Sequence, residues 1–341
     1  MVSIYLENLV KIFDTTIRAV DNLTLKIQDK TLVGFLGPSG CGKTTTLRII
    51  AGLETPTSGK VYFDDQDVTN LPPQHRNIAM VFQFPVIYPG MNVYRNISFP
   101  LEIGKTPSDE IRRRVKEIAD IMNLTEYLYR SPDALDIGTR QKIVLARAFC
   151  RDANAYLLDE PLTSLDPKSR IELRGLIRLL AQKFKRTLIY VTHDQAEVLT
   201  IADKIAVMNK GRLLQYDTPI NIYNNPAYTF VGWFIGDPGM NFFDCDLVQT
   251  DDKVYLDCGE FKYDITDLAN ELRKVTNTTQ FILGIRPENI VVSTEKRTDD
   301  YFKVACDFIE YIANREVLNV SIGNISCLLY TSDAADDGES V

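Results

Sequence analysis

Hydrophobic positions change their period several times along this chain, and each change predicts an element. At the N-terminus "MVSIYLENLV" alternates, as a strand with one buried face does. The stretch "LVGFLGPSGCGKTTTLRIIAGL" starts as an apolar run, passes through a glycine-rich loop and continues at helical spacing through Leu47, Ile50 and Leu53, which predicts strand, loop and helix. Three more apolar runs, "IAMVFQ", "AYLLDEP" and "TLIYVTH", read as buried strands. Each ends on polar residues: Gln83, the pair Asp159 and Glu160, and His193. Between them, Ser108 with Asp109 and Glu110 starts a helix whose apolar positions are Ile111, Val115, Ile118 and Met122, with Arg112 to Lys116 on its solvated face. Residues 134–148, "ALDIGTRQKIVLARA", predict an amphipathic helix with Val144, Leu145, Ala148 and Phe149 on one face and Arg140, Arg147 and Arg151 on another.

Past a hairpin turn at Asn209 to Gly211, the chain runs through Pro219, Pro226 and Pro238 and the period changes to two. "KVYLDCGEFKYDI" alternates around a turn at Asp257 to Glu260, and "FILGIRPENIVVS" and "CDFIEYIANREVLNVSIG" add further strands. Short strands with tight turns suit a small barrel. The final "CLLYTSDAADDGESV" departs from this pattern, since its apolar residues stop at Tyr330 and a small, acidic tail follows.

Length and charge sharpen the division. The 341 residues favour two domains. Residues 1–235 carry 29 of the 38 Lys and Arg and 25 of the 46 Asp and Glu, and the remainder carries 9 and 21, so a boundary is expected near 235. The acidic second part is unsuited to nucleic acid. No apolar run is long enough to span a membrane and no signal peptide is visible, so a soluble, cytoplasmic chain is expected. Cys41, Cys150, Cys245, Cys258, Cys306 and Cys327 show no C-x-x-C spacing, which argues against both structural zinc and a disulfide framework.

The candidate chemistry lies in the first part. Gly37, Pro38, Ser39, Gly40, Cys41, Gly42, Lys43 and Thr44, followed by Thr45, match G-x-x-x-x-G-K-[ST]. In that motif backbone N–H groups surround phosphates, the lysine reaches the terminal ones and the hydroxyl binds Mg²⁺. Asp159 on a neighbouring strand suits the metal, and Glu160, one residue beyond it, suits polarising a water. His193 is placed to orient a γ-phosphate and Gln83 to bind metal or water. Several strands each delivering a polar residue at one sheet edge is the ligand geometry of a doubly wound sheet.

"GPSGCGKTT", "VFQ", "YLLDEPLTSLD" and "VTHD", in this order and spacing, resemble the ATPase subunit of an ATP-binding cassette (ABC) transporter. "IAGLETPTSG", "NIAMVFQFPVIYPGMNVYRNISFPL", "IYVTHDQAEVLTIADKIAVM" and "GMNFF" are closer still to the ATPases of bacterial maltose-type sugar importers. The resemblance implies an α/β P-loop cassette over residues 1–235, with a helical subdomain at about 84–152 that receives the membrane subunits. It also implies an OB-like (TOBE-type) regulatory β domain over 236–326, which "LGIRPEN" supports. It implies ATP and Mg²⁺ as ligands, Phe13 as the ring that stacks on adenine, and Ser164, Leu165 and Asp166 as the loop facing a second ATPase subunit. "CLLYTSDAAD" resembles the translation of a transposon-type sequencing adaptor, so residues 327–341 are read as a non-native tail and the barrel as truncated, with an edge strand left unpaired.

One motif departs from the family. Where the family has Leu-Ser-Gly-Gly-Gln, this chain has Leu135, Asp136, Ile137, Gly138 and Thr139. In the family this signature contacts the γ-phosphate held by the opposite subunit. Asp136 places an anion there, and Ile137 puts a β-branched side chain where glycine allows close backbone approach. A degenerate signature beside an otherwise complete site implies a heterodimer, in which a partner ATPase with an intact signature completes the site on this chain. The expected complex is that pair with two membrane permeases and a solute-binding protein, peripheral on the inner membrane face and binding no nucleic acid. Sugars or glycerol phosphate are the expected solutes. The alternatives are a polyamine importer, a regulatory subunit with little hydrolysis, and a soluble cassette ATPase of repair or translation, which would usually carry tandem cassettes or a coiled coil.

Overall fold

In the computed structural model, residues 2–14, 16–250, 253–292, 304–312, 315–322 and 325–330 are described. The chain divides into two units between Asn225 and Pro226. The compositional boundary near 235 lies ten residues later, because a short helix before it is bonded into the second unit.

The first unit begins with β1 (Ile4–Phe13), β2 (Ile17–Ile27) and β3 (Leu32–Leu36), then α1 (Lys43–Ala51), β4 (Ser58–Phe63), β5 (Gln66–Asp67) and β6 (Ile78–Val81). Helices α2 (Val93–Ile103), α3 (Ser108–Ile121) and α4 (Ile137–Cys150) follow. After them come β7 (Ala155–Asp159), α5 (Pro167–Phe184), β8 (Thr187–Thr192), α6 (Gln195–Ile201), β9 (Lys204–Asn209), β10 (Arg212–Asp217) and α7 (Pro219–Asn224). Strands β2-β1-β4-β5 form an antiparallel sheet, and β10-β9-β3-β8-β7-β6 form a second sheet that is parallel except at β10. The central strands β3, β7 and β8 are buried on both faces, which is why they read as continuous apolar runs.

Alternation decides what lies on each face of the parallel sheet. Val33 and Phe35 of β3 join Leu157, Ile189, Val191 and Met208 in a core with Leu47 and Ile50 of α1 and Leu6 and Val61 of the antiparallel sheet. Gly34 faces the other way, where a Cβ would come within 2.6 Å of Val198 on α6. Leu53 lies beyond the end of α1 and is exposed, so the predicted helical spacing stops one position short.

Helix α4 differs from its expected amphipathic form. Buried residues occupy nearly its whole circumference, including Gln141, Ile143, Val144, Leu145, Ala146 and Phe149. The arginines expected on the other face are bound to nearby groups. Arg140 donates to the Pro132 and Asp133 carbonyls, Arg147 to the Val86 carbonyl and lies 4.2 Å from the Tyr88 ring centroid, and Arg151 donates to Asn77. Guanidinium forks satisfied by backbone oxygens can pack where a solvated charge cannot.

The second unit starts with α8 (Thr229–Phe234), whose Gly232 carbonyl accepts from Met240 N–H and from the buried Arg286 of "LGIRPEN". Strands β11 (Asn241–Gln249), β12 (Val254–Asp257) and β13 (Lys262–Asp264), the helix α9 (Ala269–Val275) and β14 (Gln280–Ile285) give a sheet ordered β13-β12-β11-β14. A second sheet holds β15 (Ala305–Ile312), β16 (Arg315–Ile322) and β17 (Ile325–Tyr330). Phe243, Leu256, Leu318, Val320 and Leu329 share one core.

One expectation about this unit is corrected. The register that pairs Asp246 with Asp257 sets Cys245 opposite Cys258, and these residues form a disulfide with Cα atoms 4.2 Å apart. Strand pairing brings them together across 13 residues, a relation that C-x-x-C spacing does not reveal. The first residues of the segment read as a non-native tail, Cys327 to Tyr330, lie in β17, where Cys327 is 0% and Leu329 3% exposed. The Asn241 side chain of "GMNFF" also donates to the Leu328 carbonyl at 3.0 Å and accepts from the Leu328 N–H at 3.2 Å. The remainder of the proposed tail, residues 331–341, lies outside the described residues.

Candidate functional site

The loop between β3 and α1 is shaped by two glycines, Gly37 and Gly42, that have no room for a side chain. A Cβ on Gly37 would lie 2.1 Å from the Met208 carbonyl oxygen, and one on Gly42, at φ +103°, would lie 2.2 Å from that of Ala19. Ser39 and Gly40 form the exposed tip, Pro38 is half-buried, and Cys41 is buried beneath the loop. Lys43 is buried and donates to the Gly37 and Pro38 carbonyls at 2.8 and 2.9 Å. Thr45 is half-buried in the first turn of α1.

Strand order brings the polar strand ends to this loop, since β8 lies beside β3 and β7 beside β8. The Thr44 hydroxyl donates to Asp159 Oδ1 at 2.8 Å. Burial pushes the Asp159 carboxyl above the usual carboxylate range, and the Thr44 hydrogen bond partly offsets this. Glu160 turns away from the strand at φ +45°, a left-handed conformation uncommon for a non-glycine residue, and its N–H donates to the Val191 carbonyl at 2.9 Å. Its Oε2 lies 3.3 Å from His193 Nδ1 and accepts from the Thr163 hydroxyl at 3.1 Å. Lys43, Thr44, Asp159, Glu160 and His193 therefore form one connected constellation at a single sheet edge. A hydroxyl touching a buried carboxylate beside an ammonium is a donor set that fits a divalent cation with a phosphate.

Gln83 stands two residues past β6, half-buried. The loop after it is held by groups that sequence reading missed. Asn96, fully buried on α2, accepts from Tyr88 N–H at 2.9 Å and donates to the Met91 and Asn92 carbonyls, both at 3.1 Å. A polar residue on the apolar face of "NVYRNISF" was the only available signal. Phe13 ends β1 half-buried, with Lys11 Nζ 4.8 Å from its ring centroid.

The helix N-termini separate into two kinds. Helix α1 follows Gly42 with no side-chain cap, so its first amides remain directed into the glycine loop. Helix α4 is capped by Asp136, which accepts from Thr139 N–H at 2.9 Å and from the Thr139 hydroxyl at 2.6 Å. The Thr139 hydroxyl, with smaller help from backbone donors, holds the Asp136 carboxyl below its usual range, so the carboxylate is the favoured form. Ile137 is 44% exposed beside it, Leu135 is half-buried, and Gly138 is buried against Ser169. In the loop Ser164, Leu165, Asp166, Ser164 is exposed, Leu165 is buried, and Asp166 caps α5 through Ser169 N–H at 3.1 Å.

Capping makes a stability prediction. Asp136→Ala is expected to lower folding stability by about 1 kcal/mol through loss of the cap, whereas serine caps comparably and Asp136→Ser should stay within a few tenths. Thermal or denaturant unfolding of both variants checks this, and equal loss in both would contradict the capping role.

Comparison with known proteins agrees with this geometry. The ABC transporter family model matches residues 20–163, and the MalK OB fold domain model matches residues 236–290. The chain is 40% identical over 340 residues to the trehalose/maltose import ATP-binding protein MalK of Thermococcus litoralis, spanning 96% of this chain and 90% of that one. It is 41% identical to the oligosaccharides import ATP-binding protein MsmX of Bacillus subtilis, over 95% of this chain and 89% of that one. It is 44% identical to the osmoprotective compounds uptake ATP-binding protein GgtA of Synechocystis, over 85% and 78%. Among solved structures, cbiO1 from Clostridium perfringens, part of the ABC transporter complex cbiONQ, superposes with a TM-score of 0.60 at 25% identity, covering 64% of this chain and 89% of that one. An open phosphate loop, an acidic strand end and a MalK-type OB domain in one chain, with these relatives, place it in the ABC transporter family as an importer's ATP-binding subunit, an ATPase.

Proposed function

We propose that this chain energises a bacterial importer of sugars or glycerol phosphate as one half of an asymmetric ATPase pair. The observation that carries the reading is the contrast between α1, whose amides face an open glycine loop, and α4, whose N-terminus is filled by the Asp136 carboxylate. An anion receives phosphate poorly where it already occupies the helix's donors.

In this reading the glycine loop and Lys43 bind the phosphates, Phe13 stacks on adenine, and Thr44, Asp159 and Gln83 hold Mg²⁺. When bound, the ion would neutralise charge on the phosphate oxygens. Glu160 accepts a proton from the attacking water, and His193 orients the γ-phosphate. A partner ATPase with an intact signature closes over this site across the Ser164 to Asp166 loop, while Asp136 and Ile137 leave the partner's own nucleotide slowly hydrolysed.

Among the described residues no helix is long and apolar enough to cross a membrane. In this reading two permease subunits pass the solute, supplied by a solute-binding protein. A groove of about 300 Å³ lined by Met80, Tyr88, Phe99, Ile103, Val144 and Arg147 is the surface proposed to take a permease helix. The chain then works as a peripheral subunit on the cytoplasmic membrane face. Import of trehalose or maltose, oligosaccharides and osmoprotective compounds by the named relatives supports a small polar solute.

The purified chain alone is expected to bind Mg-ATP and hydrolyse it slowly, because both sites of a homodimer would meet Asp136 and Ile137. Single-turnover and steady-state ATPase assays test this. Turnover as fast as that of a relative with Leu-Ser-Gly-Gly-Gln would contradict it.

A further inference from the structure

Beside His193 lies a carboxylate outside the proposed catalytic set. Glu197 in α6 is 3% exposed and accepts from the hydroxyl of the fully buried Tyr190 at 2.7 Å. The Thr192 hydroxyl is bonded to the same carboxylate, and Thr192 Oγ1 in turn accepts from Asp194 N–H at 3.0 Å. Asp194 caps α6 by accepting from Ala196 N–H at 2.8 Å and Glu197 N–H at 3.3 Å, and it pairs with Arg170 at 3.6 Å.

Strand geometry gives these contacts a direction. Tyr190 and Thr192 share the face of β8 that looks toward α6, whereas Val191 points into the core on the opposite face. His193 follows Thr192 and lies against Glu160. Burying a carboxylate costs desolvation free energy that an apolar side chain would not, and here hydroxyl donors in one specific arrangement offset part of that cost. That arrangement fixes the backbone at Thr192 and at Asp194, the two neighbours of His193.

We propose that Glu197 is a positioning residue for ATP hydrolysis, holding His193 at the γ-phosphate by fixing the residues on both sides of it. The inference rests on the assignment of His193 to the γ-phosphate. The test uses the importer complex purified through this chain with its own partners. Glu197→Gln keeps the volume but exchanges one of the two acceptor oxygens for a donor, which weakens the acceptor that the two hydroxyls share. Turnover is expected to fall about ten- to a hundred-fold, as for a slightly displaced catalytic group, with ATP affinity retained. In a His193→Ala background the same substitution should add no further loss, because the group it acts through is gone. Thr192→Ser should keep most of the turnover and Thr192→Val should lose it, a comparison that does not depend on how well the Glu197 variant folds.

If His193→Ala leaves turnover unchanged, the γ-phosphate assignment is wrong and the inference falls with it. If His193→Ala slows turnover while Glu197→Gln does not, the assignment stands and the inference is overturned. Losses that multiply in the double variant, or equal turnover in Thr192→Ser and Thr192→Val, overturn it as well.

Discussion

Glu160→Gln should abolish most ATP turnover while ATP binding survives, and Lys43→Ala should do the reverse, weakening binding first. The geometry separates the two roles. Lys43 is buried inside the glycine loop, bonded to the Gly37 and Pro38 carbonyls, so its ammonium sits within the loop proposed to cradle the phosphates. Glu160 stands beyond the strand end, turned out at φ +45° with Oε2 against His193 and Thr163. Glutamine preserves its shape and its hydrogen bond to Thr163 but cannot take a proton, so the loss is that of a general base, about 10²- to 10⁴-fold. Nucleotide affinity by equilibrium binding, beside turnover in the assembled complex, separates the two variants. Equal loss of ATP affinity in both would show that the division of roles is wrong.

The residues behind this prediction were legible from sequence for a physical reason. A phosphate loop needs glycine at positions where backbone conformation or a neighbouring carbonyl forbids a Cβ, as at Gly37 and Gly42, so its spacing is rigid. Strands buried on both faces must be apolar throughout, so Asp159 and His193 stand out at their ends. Other features needed the third dimension. Asn96 and Glu197 lie within stretches that resemble the family, but nothing in the stretch names a task for either, which comes only when the fold delivers donors to it. The Cys245–Cys258 bond follows from the β11–β12 register. Spacing set Arg140 and Arg147 of α4 apart from Val144 and Phe149 but carried no sign that carbonyls satisfy their guanidinium groups, which therefore behave as packed rather than solvated side chains. The role of Asp136 was half visible. An aspartate three residues before Thr139 at a helix start has the form of an N-cap, a signal overshadowed by the comparison with the family motif.

That cap makes the second prediction a specific one. In the proposed pair, restoring the signature by Asp136→Ser with Ile137→Gly should revive the partner's ATP site and leave this chain's site as it was. Serine still accepts from the α4 amides, so the helix keeps its cap, but the fixed negative charge is removed and its hydroxyl can also donate. Glycine in place of Ile137 removes a side chain that is 44% exposed at the surface where phosphate would approach. Two like charges at about 4 Å repel by roughly 1 to 4 kcal/mol under water-like to near-surface screening. Full relief of that repulsion in the transition state corresponds to a gain of roughly five-fold to a thousand-fold.

The most direct test of the account is the ATPase rate of the assembled pair with this chain's own site silenced by Glu160→Gln, measured with and without the Asp136→Ser, Ile137→Gly repair. The background rate should be near zero, since the remaining site faces an anionic signature, and the repair should raise it by at least several-fold beside a partner that has its own catalytic glutamate and histidine. An unrepaired rate already matching that of an intact-signature ATPase, or no gain on repair, would contradict the claim that Asp136 and Ile137 silence the opposite site.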